Sequence, residues 1–256
     1  MYFEKEKISA SLGKYRNEVD IKIYDETEST NKLAKYSDYS QNTLFIAKKQ
    51  SAGRGRLGRS FLSPEGGIYM SLGFYPTIPI EKTVMITPMT AVAVCRAISS
   101  LTSLSPKIKW VNDSFLNGKK ICGILTEAVS KENGLNVIVG IGINTVPPKG
   151  GFDKSITDIA GAVFEKSEDI PDDFYNLLAG ETVREFFDLY SKLPRCDFIE
   201  EYRRLCFVID KDVTVISGEE RTNAHAFAID ENCRLGVKYQ DGREEFLFGG
   251  EISIRF

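Results

Sequence analysis

Residues 107–128 read KIKWVNDSFLNGKKICGILTEA, two apolar-rich runs on either side of Asn117-Gly118. Asn-Gly between such runs is the strongest short-range hairpin signal, because both turn positions need positive φ and these two residues tolerate it. A two-residue turn places Phe115 opposite Lys120, with Asp113 diagonally across on the same face of the ribbon. One acid and one amine then share a surface. The alternation Asp113, Phe115 and Lys120, Cys122 makes that surface partly apolar, where an ion pair is less screened than in open solvent.

Working outward, short apolar runs bounded by Gly, Pro, Asn or Ser predict strands over 43–48, 68–75, 107–111, 120–128 and 135–143. Helical periodicity predicts helices over 31–36, 81–101, 172–191 and 197–205, with Pro88 an irregularity in the second. From about Val208 the pattern changes to five short strands, 213–217, 224–229, 235–239, 244–248 and 252–255, which suit a small closed β-barrel. The expectation is an α+β (mixed α/β) chain with a first unit over 1–207 and a barrel over 208–256.

The most charged stretch, KKQSAGRGRLGR at 48–59, carries five cations and no acid. The chain's net charge is −3, so the other 244 residues carry −8. A globally basic nucleic-acid binder is thereby excluded, and the loop reads as a local anion site or as a solvated basic loop. Gly53, Gly55 and Gly58 permit close backbone approach, while Arg54, Arg56 and Arg59 offer forked donors for phosphate or carboxylate. The formal G-x-G-x-x-G match is discounted, since SFLSPEGG follows and cannot open the helix that a dinucleotide fingerprint needs. Three glycines and mutually repelling arginines predict a loop that is mobile without ligand.

Two further segments carry polar or glycine signals. In TESTN at 27–31, Ser29 or Thr30 serves as a helix N-cap, as a donor to a polar ligand, or as both. In VGIGINT at 139–145, alternate glycines strip one strand face, which implies close approach by a backbone or flat ligand, or a buried bulge; Asn144 is a candidate for reading an adenine edge or holding phosphate. The five cysteines are odd in number and never spaced Cys-x-x-Cys, so they read as reduced and mostly buried rather than as disulfides or zinc ligands. His225, the single histidine, reads as structural. No run approaches the roughly 18 apolar residues of a membrane span and MYFEKEK lacks a signal's apolar core, so the expected chain is cytoplasmic, without membrane partners.

Five segments in order, TESTN, QSAGRGRLGR, SPEGGIYMSL at 63–72, KWVND through GKKICGILTE at 109–127, and VGIGINT, resemble the biotin protein ligase family. AIDENCRLGVKY and GGEISIR near the end are similar to its C-terminal domain, so the resemblance spans about residues 24–256. It implies a catalytic domain like that of class II aminoacyl-tRNA synthetases followed by an SH3-like β-barrel. The implied activity joins biotin to ATP as biotinyl-5′-AMP, with Mg²⁺, and passes biotin to a lysine of a biotin carboxyl carrier protein of a carboxylase.

Carried over by motif, Ser29, Thr30, Asn31, Gln50, Gly53, Arg54, Gly55, Arg56 and Lys120 would hold biotin. Arg56, Arg59, Phe61, Asn112, Lys120 and Asn144 would hold the adenylate, and Lys120, Arg56 and Asp113 would carry the chemistry. Asp113 orients Lys120 or helps bind the metal, whose ligands the resemblance leaves unknown. Three departures are Leu57 for a common arginine, Phe61 for a common tryptophan and Val111 for the proline of KWPND. Only 28 residues precede Ser29, too few for the DNA-binding repressor domain of bifunctional members, so a monofunctional ligase without nucleic-acid partners is expected, compatible with a homodimer. The rivals are a lipoate protein ligase, which activates a different acid, and a non-catalytic carrier-binding adaptor.

Overall fold

The computed structural model describes residues 3–131 and 134–254. Its main sheet has seven strands: β1 (Val19–Thr27), β2 (Asn42–Gln50), β3 (Gly67–Phe74), β4 (Lys107–Lys109), β5 (Asp113–Leu116), β6 (Lys119–Lys131) and β7 (Gly134–Asn144). They lie in the order β1-β2-β3-β7-β6-β5-β4, parallel only between β1 and β2. α1 (Lys5–Ser11), α3 (Ile86–Leu101), α4 (Phe174–Tyr190) and α5 (Ile199–Leu205) share one continuous core with the sheet. α2 (Thr30–Tyr36) packs elsewhere, over the small apolar cluster of Ala34, Phe45 and Ile138. The sheet thus has one face sealed by helices and another only partly covered, and a cavity occupies the remainder.

α3 shows how packing reshapes a sequence pattern. The helix predicted from residue 81 begins as a 3₁₀ segment, Ile80–Met85, and becomes α-helical at Ile86. Pro88 falls in the first α turn, where its missing N–H has no intrahelical partner to lose. Contrary to the expectation of no membrane-length run, Ile80–Leu101 is long and apolar enough to cross a bilayer by length and composition, with 67% of its apolar window buried. A helix between a sheet and α4 is apolar on nearly every side for that reason.

Two elements escape the sequence reading. β1, VDIKIYDET, is the sheet's edge, and its charged side chains dilute the apolar run as edge strands commonly require. α1 has seven residues and a single buried side chain, Ile8, too few for periodicity to show. It packs tightly on α4 at Gly180, where a Cβ would stand 2.6 Å from the Ile8 carbonyl oxygen.

The C-terminal strands β8 (Lys211–Ser217), β9 (Glu220–Ile229), β10 (Leu235–Tyr239), β11 (Glu244–Leu247) and β12 (Glu251–Ile254) form a small antiparallel sheet in the order β11-β10-β9-β8-β12. Arg255, predicted to end the last strand, lies outside the described residues. β11 and β12 are the sheet's edges, where a fully closed barrel would pair them. Val213, Ala226, Val237 and Ile252 belong to the same core as the main sheet. Trp110 Nε1 donates to the Cys233 carbonyl at 2.8 Å and Arg203 Nε to that of Ile229 at 2.7 Å, so polar bonds also tie the C-terminal segment to the turn after β4 and to α5.

All five cysteines are free; Cys95, Cys122, Cys206 and Cys233 are buried and Cys196 is half-buried. Burial pushes the Cys95 and Cys206 thiols up to about 12 and raises those of Cys122 and Cys233 as well. Thiolate, the reactive form, is therefore scarce at these four. Treating the native protein with a maleimide at pH 8 should modify Cys196 first, the other four reacting only in denaturant; early labelling of a buried cysteine, read by peptide mass, would contradict this packing.

Candidate active site

The β5–β6 hairpin turns at Asn117 (φ 50°) and Gly118 (φ 76°), both left-handed as a type I′ turn demands. Leu116 pairs with Lys119 and Phe115 with Lys120, as a two-residue turn requires. The register then shifts, so that Ser114 faces Cys122 and Asp113 faces Gly123. This bulge corrects one detail of the sequence reading, since Cys122 turns into the core and Gly123 takes its place beside Lys120. Lys120 Nζ lies 2.7 Å from Asp113 Oδ2, and its ammonium sits 5.9 Å from the Phe61 ring centroid. The Lys120 backbone is pinned to a second segment, its N–H donating to Ile159 O at 2.7 Å and its C=O accepting from Gly161 at 2.8 Å. Asp113 Oδ1 is buried with no hydrogen-bond partner.

The glycine-rich loop folds back on itself. Phe61 N–H donates to Gly53 O (2.9 Å) and Gly55 N–H to Arg59 O (2.7 Å), and the tip turns through Leu57 and Gly58 at φ 53° and 75°. At Gly53 a Cβ would sit 2.3 Å from the Phe61 carbonyl oxygen, so no other residue closes this hairpin. Side chains anchor the loop to three places. Arg54 Nη1 reaches Glu127 Oε1 at 3.2 Å, Arg56 Nη1 donates to Asn112 Oδ1 at 2.9 Å, and Arg56 Nη2 to the Gly250 carbonyl at 3.3 Å. Asn112 is itself clamped, its Nδ2 donating to Ile124 O at 2.9 Å.

A buried polar chain forms the floor at the start of α2. Ser29 caps the helix, its Oγ accepting from Lys32 N–H at 3.4 Å. Thr30 N–H donates to Gln50 Oε1 (2.8 Å), and Gln50 Nε2 to Ser63 Oγ (2.8 Å). Ser71 Oγ lies 2.7 Å from Thr30 Oγ1 and donates to Asn31 Oδ1 at 2.6 Å. Asn31 Nδ2 in turn donates to Glu127 Oε2 at 2.8 Å. The bare strand face is filled by side chains of the protein rather than relieved by a bulge: a Cβ at Gly140 would lie 2.0 Å from Asn31 Oδ1, and one at Gly142 2.5 Å from the Phe61 ring.

Together these segments enclose a cavity of ≈ 250 Å³. Ser29, Thr30, Asn31, Gln50, Arg54, Gly55, Arg56, Arg59, Phe61, Asn112, Asp113 and Lys120 all line it. Two expected residues lie off its wall. Gly53 is packed beneath Phe61, and Asn144 spends its amide on the Gly161 carbonyl at 2.9 Å. Several contributors carried no usable signal. Ser71 and Glu127 lie within quoted motifs, but only the tertiary network shows what they hold. Ile159, Gly250 and Ile252 join the wall from segments that are adjacent only in space. His225 is remote from the cavity, 3.0 Å from Asp212 on the C-terminal sheet.

Among the described residues no cluster of three His, Cys, Asp or Glu side chains forms a metal cage. Among the described side chains Asp113 is the one carboxylate on the cavity wall, which it shares with the cations Arg54, Arg56, Arg59, Lys109 and Lys120. The site therefore suits an anionic ligand, held at one end by forked donors and at the other by a buried row of hydroxyls and amides.

Residues 22–144 match the family described as Biotin/lipoate A/B protein ligase family. The chain is 42% identical over 142 residues to the bifunctional ligase/repressor BirA of Bacillus subtilis (strain 168), covering 54% of this chain and 44% of that protein. It is 28% identical over 242 residues to the biotin–[acetyl-CoA-carboxylase] ligase of Paracoccus denitrificans, covering 88% and 98%. Against the Bacillus relatives the match spans less than half of their length. Among solved structures, the fold is similar to that of biotin protein ligase from Aquifex aeolicus in complex with biotin and ATP, with TM-score 0.77, 26% identity, and 92% and 98% of the two chains covered.

The close approach at Gly140 yields a direct test. Gly140→Ala should push the buried Asn31 amide out of its bonds to Ser71 and Glu127, lowering stability by about 1–3 kcal/mol as overpacking commonly does. Chemical denaturation measures the loss, and a variant as stable as the parent would show that the Asn31 network is not held this tightly.

Proposed function

We propose that this chain, which carries a domain of the biotin/lipoate A/B protein ligase family, is an ATP- and Mg²⁺-dependent biotin–[acetyl-CoA-carboxylase] ligase that makes biotinyl-5′-AMP and passes the biotinyl group to a carrier lysine. The observation that carries this is that Lys120, paired with Asp113 at 2.7 Å, lines one cavity together with the arginine loop and the buried start of α2. An acid and a nucleotide phosphate can meet only where both their binding elements converge. Residues 1–207 would then be the biotin- and ATP-binding unit, with 208–256 supplying Gly250 and Ile252 to its wall.

Biotin's carboxylate, titrating like Glu near 4.3, is already an ionised nucleophile at neutral pH. Its oxygen attacks the α-phosphorus, the bond to the bridging oxygen breaks, and pyrophosphate leaves. The obstacle is repulsion between anions, so the protein's contribution is fixed positive charge. Lys120 spans the carboxylate and α-phosphate, while Arg56, oriented by Asn112 and the Gly250 carbonyl, and Arg59 take phosphate oxygens. Ser29, Thr30, Asn31 and Gln50 serve biotin's polar head, with Arg54, Gly55 and Arg56 closing over it. Gly53 and Asn144 act from behind the wall, by shaping the loop and by holding Gly161.

Among the described residues a single wall carboxylate without a cage fits a cation that arrives on the phosphates and keeps most of its water. Asp113 Oδ1, buried and unpartnered, is the oxygen that would touch it, while Oδ2 orients Lys120. Bound there, Mg²⁺ would neutralise charge on the departing pyrophosphate. In the second step the carrier's lysine, an ammonium with pKa near 10.4, must lose its proton before its nitrogen attacks the anhydride carbonyl and displaces AMP. Asp113, the carboxylate among the described wall side chains, is the group we assign to take that proton.

Lys120→Ala should keep its fold by far-UV circular dichroism and lose on the order of 10²–10³ in rate of biotin-dependent ATP–pyrophosphate exchange; exchange near the parental rate would remove Lys120 from this role. Lipoate in place of biotin should support no exchange, and radiolabelled biotin with ATP should label an added carrier domain. Biotin and ATP together should also slow tryptic cleavage at Arg54, Arg56 and Arg59. Cleavage that ignores both ligands would place them away from the loop.

A further inference from the structure

Glu127 lies on β6, opposite Ile138 of β7, near the middle of the seven-stranded sheet. It does not line the cavity, yet its two oxygens hold two segments that do. Oε2 accepts from Asn31, which is 5% exposed, and Oε1 accepts from Arg54 of the glycine-rich loop. Those segments are separated by more than twenty residues; among the described residues, side chains join them here and at Gln50, while the Ser51 and Ala52 N–H groups donate to the Thr27 and Glu28 carbonyls at the base of the loop. We infer that Glu127 is a positioning residue that sets the glycine-rich loop against the first turn of α2, and so fixes the width of the biotin end of the cavity.

The geometry explains why a carboxylate stands there. Two donors converge on it from opposite elements, one of them cationic, and a carboxylate is the side chain that accepts from both at once. The two arms differ in permanence. The Asn31 arm is buried and also braced by Ser71, whereas the Arg54 arm has a half-exposed guanidinium whose attraction is screened by water. Arg54 can therefore let go while Asn31 stays, so the loop opens over a floor that does not move. Nothing in this requires Glu127 to touch a reacting atom, and Lys120, Arg56 and Asp113 have other partners.

Glu127→Gln and Glu127→Ala separate the arms. Glutamine retains an oxygen for Asn31 but turns an amide donor toward Arg54; alanine removes both acceptors. The kinetic half rests on the biotin-ligase reading, whereas tryptic cleavage of the ligand-free loop does not. Losing a screened ion pair should speed that cleavage about threefold to fivefold in both variants. The biotin KM should rise about threefold for glutamine, which loses the Arg54 arm alone, and about tenfold for alanine, which loses both, with kcat at saturating biotin nearly unchanged in each. A kcat loss without a KM change, or equal KM increases in the two variants, would overturn the positioning role, as would parental cleavage rates in both. Should the alanine variant unfold, cleavage of Glu127→Gln decides the matter alone. A parent protein without biotin-dependent exchange would sink the ligase reading and leave the cleavage comparison standing.

Discussion

The bulge between Ser114 and Phe115 on one strand and Lys120 and Cys122 on the other is the constraint on which the site depends. Side chains of a strand alternate between faces, so one extra residue exchanges every later position from one side to the other. In this hairpin the exchange leaves Ile121 and Cys122 inside while Asp113, Lys120 and Gly123 face the cavity. Without it Cys122 would accompany Lys120 on the cavity face, and the sulfur would fill the space beside Phe61. A type I′ turn four residues away sets the register that the bulge then modifies. Local backbone geometry, more than any single contact, therefore decides where the amine points.

Around that ribbon the protein concentrates charge without leaving it unsupported. Arg54 and Arg56 are each tied to acceptors on different elements, so mutual repulsion within the loop is offset by bonds that also define its shape. The opposite end is a buried run of hydroxyls and amides, bonded one to the next and ending on the Glu127 carboxylate. Buried polar groups are costly unless bonded in this way, and once bonded they hold a single arrangement. The cavity is accordingly rigid at its floor and held at its lip by three bonds, of which two are exposed to solvent.

The C-terminal sheet is more than an appendage. Its interior side chains continue the main core, its Cys233 carbonyl receives the Trp110 indole, and its Gly250 carbonyl receives Arg56. A displacement of this sheet would be felt at Arg56 on the cavity wall. The short link at 248–250 achieves this by running between the edges of the small sheet rather than closing them into a hairpin.

Much of this was legible in the chain itself. Asn117-Gly118 predicts the hairpin, alternating and periodic apolar runs predict most strands and helices, and the density of arginine and glycine at 48–59 marks the cationic loop that lines the cavity. These are local properties, written in neighbouring residues through φ preference, side-chain period and charge. What tertiary structure alone decided is equally specific: the bulge that sends Cys122 inward, the placement of Gly53 and Asn144 behind the wall, the convergence of Asn31 and Arg54 on Glu127, and the arrival of Gly250. Edge strand β1 and the seven-residue α1 escaped because their stability comes from what they pack against. Sequence specifies what each segment prefers by itself, whereas a cavity is made of contacts between segments far apart in the chain, and these exist only once the core has closed.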